Sequence, residues 1–200
     1  MSSQYENTPT IETKRIILRR FEEKDVDAVY NLYQDKDVNI FLPMLPLRTK
    51  NEAVELLKEK YLNSYQNARG YKYAVCLKSD LVPIGYVVVS MDESHDLGYA
   101  LRKEFWNKGL ATEAVKAVIE RLKIDGLPYI TATHDANNPR SGRVMKKVGM
   151  NYCYTYEELW KPKNLTVHFR LFQLNLDSFQ ERVYKGYWNK YKKHYVERNI

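Results

Sequence analysis

The chain has 200 residues, of which 44% are hydrophobic and 28% charged, and its formal net charge at pH 7 is +7. This composition is typical of one globular domain and excludes a disordered chain. The basic residues are spread along the chain without a polybasic block, so the charge indicates either general solubility or an anionic partner. No apolar stretch approaches the roughly 18 residues of a membrane span. The polar first residues lack a signal-peptide pattern, which predicts a cytoplasmic protein.

The two cysteines, Cys76 and Cys153, each lie inside an apolar run. No Cys/His spacing typical of a metal site accompanies them, so the sequence predicts buried thiols, a reducing compartment and no metal.

The first third of the chain predicts a strand followed by two helices. Residues 13–21 contain three consecutive branched apolar residues and favour a strand. Apolar residues then recur at helical spacing over residues 24–34. Thr49 and Glu52 form the capping-box pattern that predicts the start of the second helix.

The remainder predicts alternating sheet and helix. Residues 71–77, 84–91 and 97–101 read as consecutive antiparallel strands. A long helix follows, with one apolar residue in each turn: Leu110, Ala114, Val118 and Leu122. The chain then predicts a strand at 129–134, a short helix that Asn138 caps and Gly149 ends, and a hairpin of residues 152–159 and 165–176. Gly126 and Pro128 mark the end of the long helix.

The segment 96–114 (DLGYALRKEFWNKGLATEA) joins the last of the three strands to the long helix. Backbone N–H groups are unpaired at a helix start and the helix dipole adds positive charge, so such a junction favours an anion. Gly109 has no side chain to keep the backbone from a phosphate, and Ala111 is nearly as small. Taken alone, this pattern is also typical of an ordinary turn.

A second segment, 138–150 (NPRSGRVMKKVGM), follows later in the chain. Together the two segments resemble the GNAT superfamily of N-acetyltransferases, and more closely its Rim-type branch, which includes the ribosomal-protein N-terminal acetyltransferases. The resemblance is carried by Gly98, Tyr99, Ala100 and Leu101, by residues 106–114, and by Asn138, Ser141, Val144, Lys147, Gly149 and Met150. Residues 13–21 also resemble this branch's first strand, and the resemblance as a whole extends over residues 11–176.

The resemblance implies acetyl-CoA as the cosubstrate. The strand residues Tyr99, Ala100 and Leu101 would pair with its pantetheine arm, and one of their N–H groups would polarise the thioester carbonyl. The pyrophosphate would lie on the loop residues Asn107, Lys108, Gly109, Leu110, Ala111 and Thr112. Asn138 would bond the cofactor's arm or would only cap its helix.

The resemblance also implies catalytic residues. Met145 stands where many superfamily members have a tyrosine that protonates the departing CoA thiolate, and methionine has no proton to donate. The Rim-type branch points instead to Ser141, a residue that would also suit a helix cap. For the base, Asp96 matches a position where the branch often has glutamate, His134 lies at the end of the next strand beside the expected cleft, and His95 precedes Asp96. Each of these three is also typical of an ordinary surface or turn residue.

The last segment, residues 177–200, lies beyond the resemblance. Tyr184, Tyr187, Trp188, Tyr191 and Tyr195 recur there at helical spacing, with basic residues between them. This pattern predicts a basic aromatic helix packed on the sheet or on a second subunit of a homodimer. It would also suit stacking on RNA bases, but no RNA-binding motif supports a nucleic-acid partner.

The sequence therefore predicts an α+β, GNAT-like fold, with a mostly antiparallel twisted sheet flanked by helices and two central strands splayed around the cofactor. Residues 1–10 would form a flexible N-terminus, 11–176 the acetyltransferase domain and 177–200 a helical extension. The acceptor side would be built from the first two helices, residues 41–46 and the last hairpin.

The predicted activity is direct acetyl transfer to a primary amine in a ternary complex, without a covalent enzyme intermediate. The acceptor would be a protein N-terminus or a small molecule such as an antibiotic, a polyamine or an amino-acid derivative. An α-amine, with a pKa near 8, needs less help from a base than a lysine amine with a pKa of about 10.4. A non-catalytic acyl-CoA sensor or an RNA-binding module is the alternative.

Overall fold

The computed structural model describes residues 6–198 and residue 200. It contains two sheets. The first has five antiparallel strands in sequence order: β1 (Ile11–Glu12), β2 (Ile16–Arg19), β3 (Tyr71–Leu77), β4 (Pro83–Val89) and β5 (Leu97–Leu101). The second sheet has the order β6-β8-β7-β9: β6 (Tyr129–Asp135), β7 (Asn151–Trp160), β8 (Leu165–Asn175) and β9 (His194–Tyr195).

Within the described residues, six α-helices flank the sheets: α1 (Val26–Gln34), α2 (Lys36–Asn39), α3 (Lys50–Lys60), α4 (Leu110–Ile124), α5 (Pro139–Lys147) and α6 (Gly186–Lys190). Short 3-10 turns lie at Glu23–Asp25, Leu62–Gln66, Lys103–Phe105 and Lys161–Lys163. The predicted caps are confirmed: Thr49 and Glu52 form a capping box at α3, and the side chain of Asn138 accepts the N–H of Ser141 at α5. No helix in the described residues is both long and apolar enough to cross a bilayer.

The two faces of the first sheet hold separate cores. Helices α4 and α5 cover the face to which Leu97, Tyr99 and Leu101 point. Helices α1 and α3 cover the opposite face, where Ala100 lies. Because side chains alternate along a strand, Asp96 belongs to the same face as Ala100. Helices on both sides of a mostly antiparallel sheet confirm the predicted α+β architecture.

The predicted splay of two central strands is also present. Strands β5 and β6 run parallel, and in the described residues they are joined by a single bridge between Asp96 and Thr131. The N–H of Thr131 donates to the carbonyl of His95 at 3.3 Å. Beyond this bridge each strand pairs only inside its own sheet, so a cleft opens between Leu101 and the end of β6.

Part of the segment predicted as a flexible N-terminus, residues 1–10, packs on the domain. Residues 1–5 lie outside the described residues, but Asn7 and Thr8 are buried. The N–H of Thr8 donates to the carbonyl of Gly70 at 2.8 Å, and the Asn7 amide donates to the carbonyl of Ser64 at 3.0 Å. Because these bonds join segments that are distant in the sequence, no local pattern reveals them. The polar composition of the segment therefore suggested flexibility.

The C-terminal helix is shorter than its periodicity predicts. Helix α6 has five residues, and the chain is extended at Tyr191 before β9 pairs with β7 through Tyr195 and Thr155. The new backbone pairs and the stacking of Tyr191 on Tyr156, at 4.7 Å between ring centroids, stabilise the extended path over further helix. The aromatic side chains pack on the second sheet: Tyr184, Tyr187, Trp188 and Tyr191.

Candidate active site

The cleft beside β5 exposes backbone hydrogen-bonding groups. Ser90 N–H donates to Asp96 and Arg102 N–H donates to Ile84, so residues 96 and 102 direct their backbone groups to β4. By the alternation of an antiparallel pair, the N–H groups of Tyr99 and Leu101 point the other way, into the cleft. Ala100, which was predicted with them, directs its backbone to β4 and offers only a methyl group on the α1 face.

The loop before α4 has the shape of an anion cradle. Asn107 and Gly109 both adopt left-handed backbone conformations, with φ of 59° and 75°. The first helical bond runs from the N–H of Glu113 to the carbonyl of Gly109, at 3.0 Å. The N–H groups of Leu110, Ala111 and Thr112 therefore precede the helical ladder and point out of the helix end. With the helix dipole they suit a pyrophosphate.

A clamp that the sequence reading missed supports this loop. Arg15 donates to the carbonyl of Lys108 at 2.8 Å and forms an ion pair with Glu113 at 2.6 Å. Thr13 donates to the same carboxylate at 2.7 Å. Burial acts to raise the pKa of Glu113, but these hydrogen bonds and the Arg15 charge hold that pKa below its usual range. The clamp adds a guanidinium beside Gly109; because 98 residues separate Arg15 from Glu113, no local pattern reveals it.

Trp106 connects the start of the loop to the end of β5. Its indole N–H donates to the carbonyl of Leu101 at 2.7 Å, which occupies the last cleft-facing carbonyl of β5. The guanidinium of Arg140 lies over the Trp106 ring, 5.4 Å from the centroid, in cation–π geometry. The loop, the strand end and the start of α5 are thereby held at one mouth of the cleft.

Ser141 and Tyr99, predicted as separate site residues, are in direct contact. The Tyr99 phenol lies 2.9 Å from the Ser141 hydroxyl oxygen and 2.8 Å from the Ser141 carbonyl. Burial raises the pKa of Tyr99, so the phenol keeps its proton and acts as a donor. Asn138 uses its side-chain oxygen to cap α5, which leaves its amide N–H groups for another acceptor.

Asp96 lies where β5 meets β6, on the α1 face. Burial raises the pKa of its carboxyl to about 7, although a hydrogen bond from Thr131, at 3.4 Å, opposes that shift. The hydroxyl of Ser94 accepts the N–H of Asp96 at 3.2 Å and fixes the strand start. A carboxyl that titrates near neutral pH has the property expected of a general base.

The two predicted histidines have different surroundings. His134 is buried beneath α5, and a Cβ placed on Gly142 would approach its ring to 2.6 Å. The His134 side chain lies on the same face of β6 as Ala132, which packs with α4 and α5. Asp96 belongs to the opposite face, so this geometry favours a packing role for His134 over the predicted relay. His95 is in a turn with φ of 45°, and its ring contacts the edge of Tyr129.

The elements predicted to build the acceptor side, the first two helices and the last hairpin, approach each other on the α1 face. The ammonium of Lys163, in the β7–β8 turn, donates to the carbonyls of Asn39 and Ile40, so the hairpin tip contacts α2. A cavity of about 430 Å³ also lies on this face, and both Asp96 and Gly98 line it. This surface includes the helices and hairpin that the sequence predicted for the acceptor.

The site can be compared with known proteins. A family model described as the acetyltransferase (GNAT) domain matches residues 15–151. The uncharacterized N-acetyltransferase YnaD of Bacillus subtilis (strain 168) is 33% identical over 144 residues, which cover 70% of this chain and 81% of that protein. The family-model match includes the residues that build the cleft and the loop.

Solved structures share the fold. A GNAT-family acetyltransferase from Bacillus anthracis has a TM-score of 0.72 and 24% identity, covering 84% of this chain and 99% of that chain. RimL, a ribosomal L7/L12 alpha-N-protein acetyltransferase solved with coenzyme A, has a TM-score of 0.74 and 14% identity, covering 85% of this chain and 99% of that chain. The Rim-type resemblance is confirmed, and acetyl-CoA is the cosubstrate that this fold accommodates. The chain belongs to the GNAT family and is an N-acetyltransferase.

Proposed function

We propose that the protein moves the acetyl group of acetyl-CoA directly to the primary amine of a small molecule. The observation that carries the transfer step is the position of Tyr99, whose backbone faces the cleft while its phenol holds Ser141. The acceptor amine would approach from the opposite face, where Asp96 lies. A protein N-terminus, the acceptor that the Rim-type resemblance suggests, is the second candidate.

The chemistry needs three contributions from the chain. When bound, acetyl-CoA supplies the acetyl group as a reactive thioester. The N–H of Tyr99 donates to the carbonyl oxygen as negative charge develops there. Asp96 accepts the proton that the amine loses as the C–N bond forms, directly or through a water. Ser141 donates a proton to the sulfur as the C–S bond breaks, and the contact with the Tyr99 phenol holds the serine hydroxyl in position.

The small-molecule acceptor is favoured by the way the α1 face is closed. The bonds from Lys163 to Asn39 and Ile40 join the hairpin tip to α2 on this face. The cavity beside Asp96 has the size of a small-ligand site, in the range of about 300–1,000 Å³ that such sites occupy.

Turnover on a peptide beginning with Ser or Ala should be compared with turnover on a panel of small primary amines. We expect a kcat/KM at least tenfold higher for the best small amine. A higher value for the peptide would assign the protein-N-terminus acceptor instead. Acetyl-CoA binding with no turnover on any amine would favour the acyl-CoA sensor and overturn the proposed transfer.

The Ser141→Ala variant tests the acid. We expect kcat to fall by about 10²- to 10⁴-fold, the usual contribution of a positioned acid, while the Kd for acetyl-CoA stays within a factor of a few. Tyr99→Phe should give a smaller loss, also in kcat, because the acid is present but less well oriented. Ser79→Ala, at an exposed turn, is the matched control. An unchanged kcat in Ser141→Ala would remove Ser141 from the mechanism.

RNA binding by the C-terminal segment is not favoured by its contacts. Its rings pack on the second sheet, and several of its basic groups have protein partners. Lys193 forms an ion pair with Glu157 at 2.9 Å, and Arg182 pairs with Asp177 at 2.8 Å. Stacking on bases would require the rings to leave these positions.

A further inference from the structure

The cavity beside Asp96 has cationic groups at the end away from the cleft. We propose that it binds the acceptor through an anionic group, a carboxylate or a phosphate, which Lys72 contacts while the acceptor's amine lies toward Asp96. This inference rests on the proposed function and names the chemical class of its acceptor.

The strand register defines the floor of the cavity. Lys72 of β3 is opposite Val88 of β4, and Val88 is opposite Gly98 of β5, so the three lie in one row across the sheet. All three line the cavity, and Asp96 lines it at the β5 side. Adjacent strands are about 4.8 Å apart, so the Cα atoms of Lys72 and Gly98 are about 10 Å apart. A short amine with an acidic group at its other end matches this span.

Lys72 is close to a second ammonium group. Its Nζ donates to the carbonyl of Lys60 at 2.6 Å. Burial and, to a smaller extent, the nearby charge of Lys72 lower the pKa of Lys60 to about 8. The Lys60 ammonium donates to the Tyr33 hydroxyl at 2.9 Å and lies over the rings of Tyr33 and Tyr86, at 5.0 and 4.8 Å from their centroids.

Lys72 and Lys78, both near strand β3, differ in their ionic partners. Lys78 pairs with Glu12 at 3.3 Å, whereas within residues 6–198 neither Lys60 nor Lys72 forms an ion pair with a carboxylate. Partly buried cations without a counter-charge are costly, and burial lowers the pKa of Lys72 as well. An anionic group in the cavity would supply the charge that Lys72, which lines it, lacks. A polyamine would bring further positive charge toward the same two lysines, so this class is disfavoured.

The test uses matched acceptors with purified full-length protein. The pairs are 4-aminobutyrate against butylamine, and O-phosphoethanolamine against ethanolamine, so that carboxylate and phosphate are examined separately. We expect kcat/KM to be at least tenfold higher for the anionic member of one pair, as a charged hydrogen bond supplies. Lys72→Gln should remove that preference, mainly through KM. Lys78→Gln, with the same change in net charge, should retain it.

A binding measurement makes the result independent of turnover. With the protein saturated with CoA, so that the Gly109 loop is occupied, inorganic phosphate at constant ionic strength should raise Tm in the wild type and in Lys78→Gln but not in Lys72→Gln. A phosphate shift without turnover on any amine would support the anion site and overturn the transfer function. Turnover with no preference for anionic amines, or a preference that Lys72→Gln leaves intact, would overturn the anion site alone.

Discussion

Replacing Gly109 with glutamate is expected to abolish the stabilisation that acetyl-CoA confers. At a hundred times its Kd the cosubstrate should stabilise the wild type by about 2.7 kcal/mol. For a chain of this size that corresponds to a rise in Tm of about 5–11 °C. The substitution puts a carboxylate where a pyrophosphate would lie, and a side chain on a backbone with φ of 75°. Differential scanning fluorimetry with and without acetyl-CoA measures the effect.

Gly126 offers the matched control, because it ends the same helix with φ of 71° and no atom lies within 4 Å of a Cβ placed there. Gly126→Glu therefore adds a comparable backbone strain and the same charge, away from the loop. We expect it to lower Tm without acetyl-CoA but to keep the shift. A retained shift in Gly109→Glu, or a shift lost equally in both variants, would contradict the assignment of the loop.

Asp96→Asn is expected to lower kcat/KM for the acceptor by about 10²- to 10⁴-fold, because the amide cannot take up the amine proton. In the wild type, activity should rise with pH through an inflection near 7, where the carboxyl ionises, provided that the acceptor amine does not mask this step. That inflection should disappear in the variant. Glu120→Gln, on the exposed side of α4, removes a carboxylate far from the cleft and is the control.

The same variant has a thermodynamic signature that does not depend on turnover. Burial raises the folded-state pKa of Asp96 above its unfolded value, so the neutral carboxyl favours folding. This contribution is fully present below about pH 4 and is lost as pH rises to 7. Asp96→Asn should therefore be more stable than the wild type above pH 7 and similar near pH 4, by thermal unfolding. A variant that is less stable at pH 8 would show that the carboxylate is stabilised in the fold and is not a poised base.

Much of the architecture was predictable because its signals are local. The capping box at Thr49 and Glu52, the Asn138 cap and the glycines that end α4 and α5 depend on residues a few positions apart. The backbone of the Gly109 loop is of the same kind, since a glycine just before a helix start readily adopts a left-handed conformation, although the clamp from Arg15 that supports the loop is not local. The three middle strands likewise follow from residue pattern and turn spacing.

Other features depend on contacts between distant segments. The periodicity of the last aromatic residues indicated a longer helix, but the packing on Tyr156 and the pairing with β7 end α6 at Lys190. His134 was placed near the cleft by its position at a strand end. Strand alternation and the contact with Gly142 add that its ring packs beneath α5.

The sequence by itself determined the family, the cosubstrate and the loop that would bind it, because the motifs are contiguous and their backbone requirements are local. Only the tertiary structure decided which groups meet. It brings Tyr99 into contact with Ser141, and Arg15 into contact with Glu113. It also places Lys72, Gly98 and Asp96 around one cavity. These partners are brought together by strand register and helix packing, which depend on the whole core. The chemistry of the acceptor side is therefore a property of the fold, whereas the cofactor loop is a property of the chain.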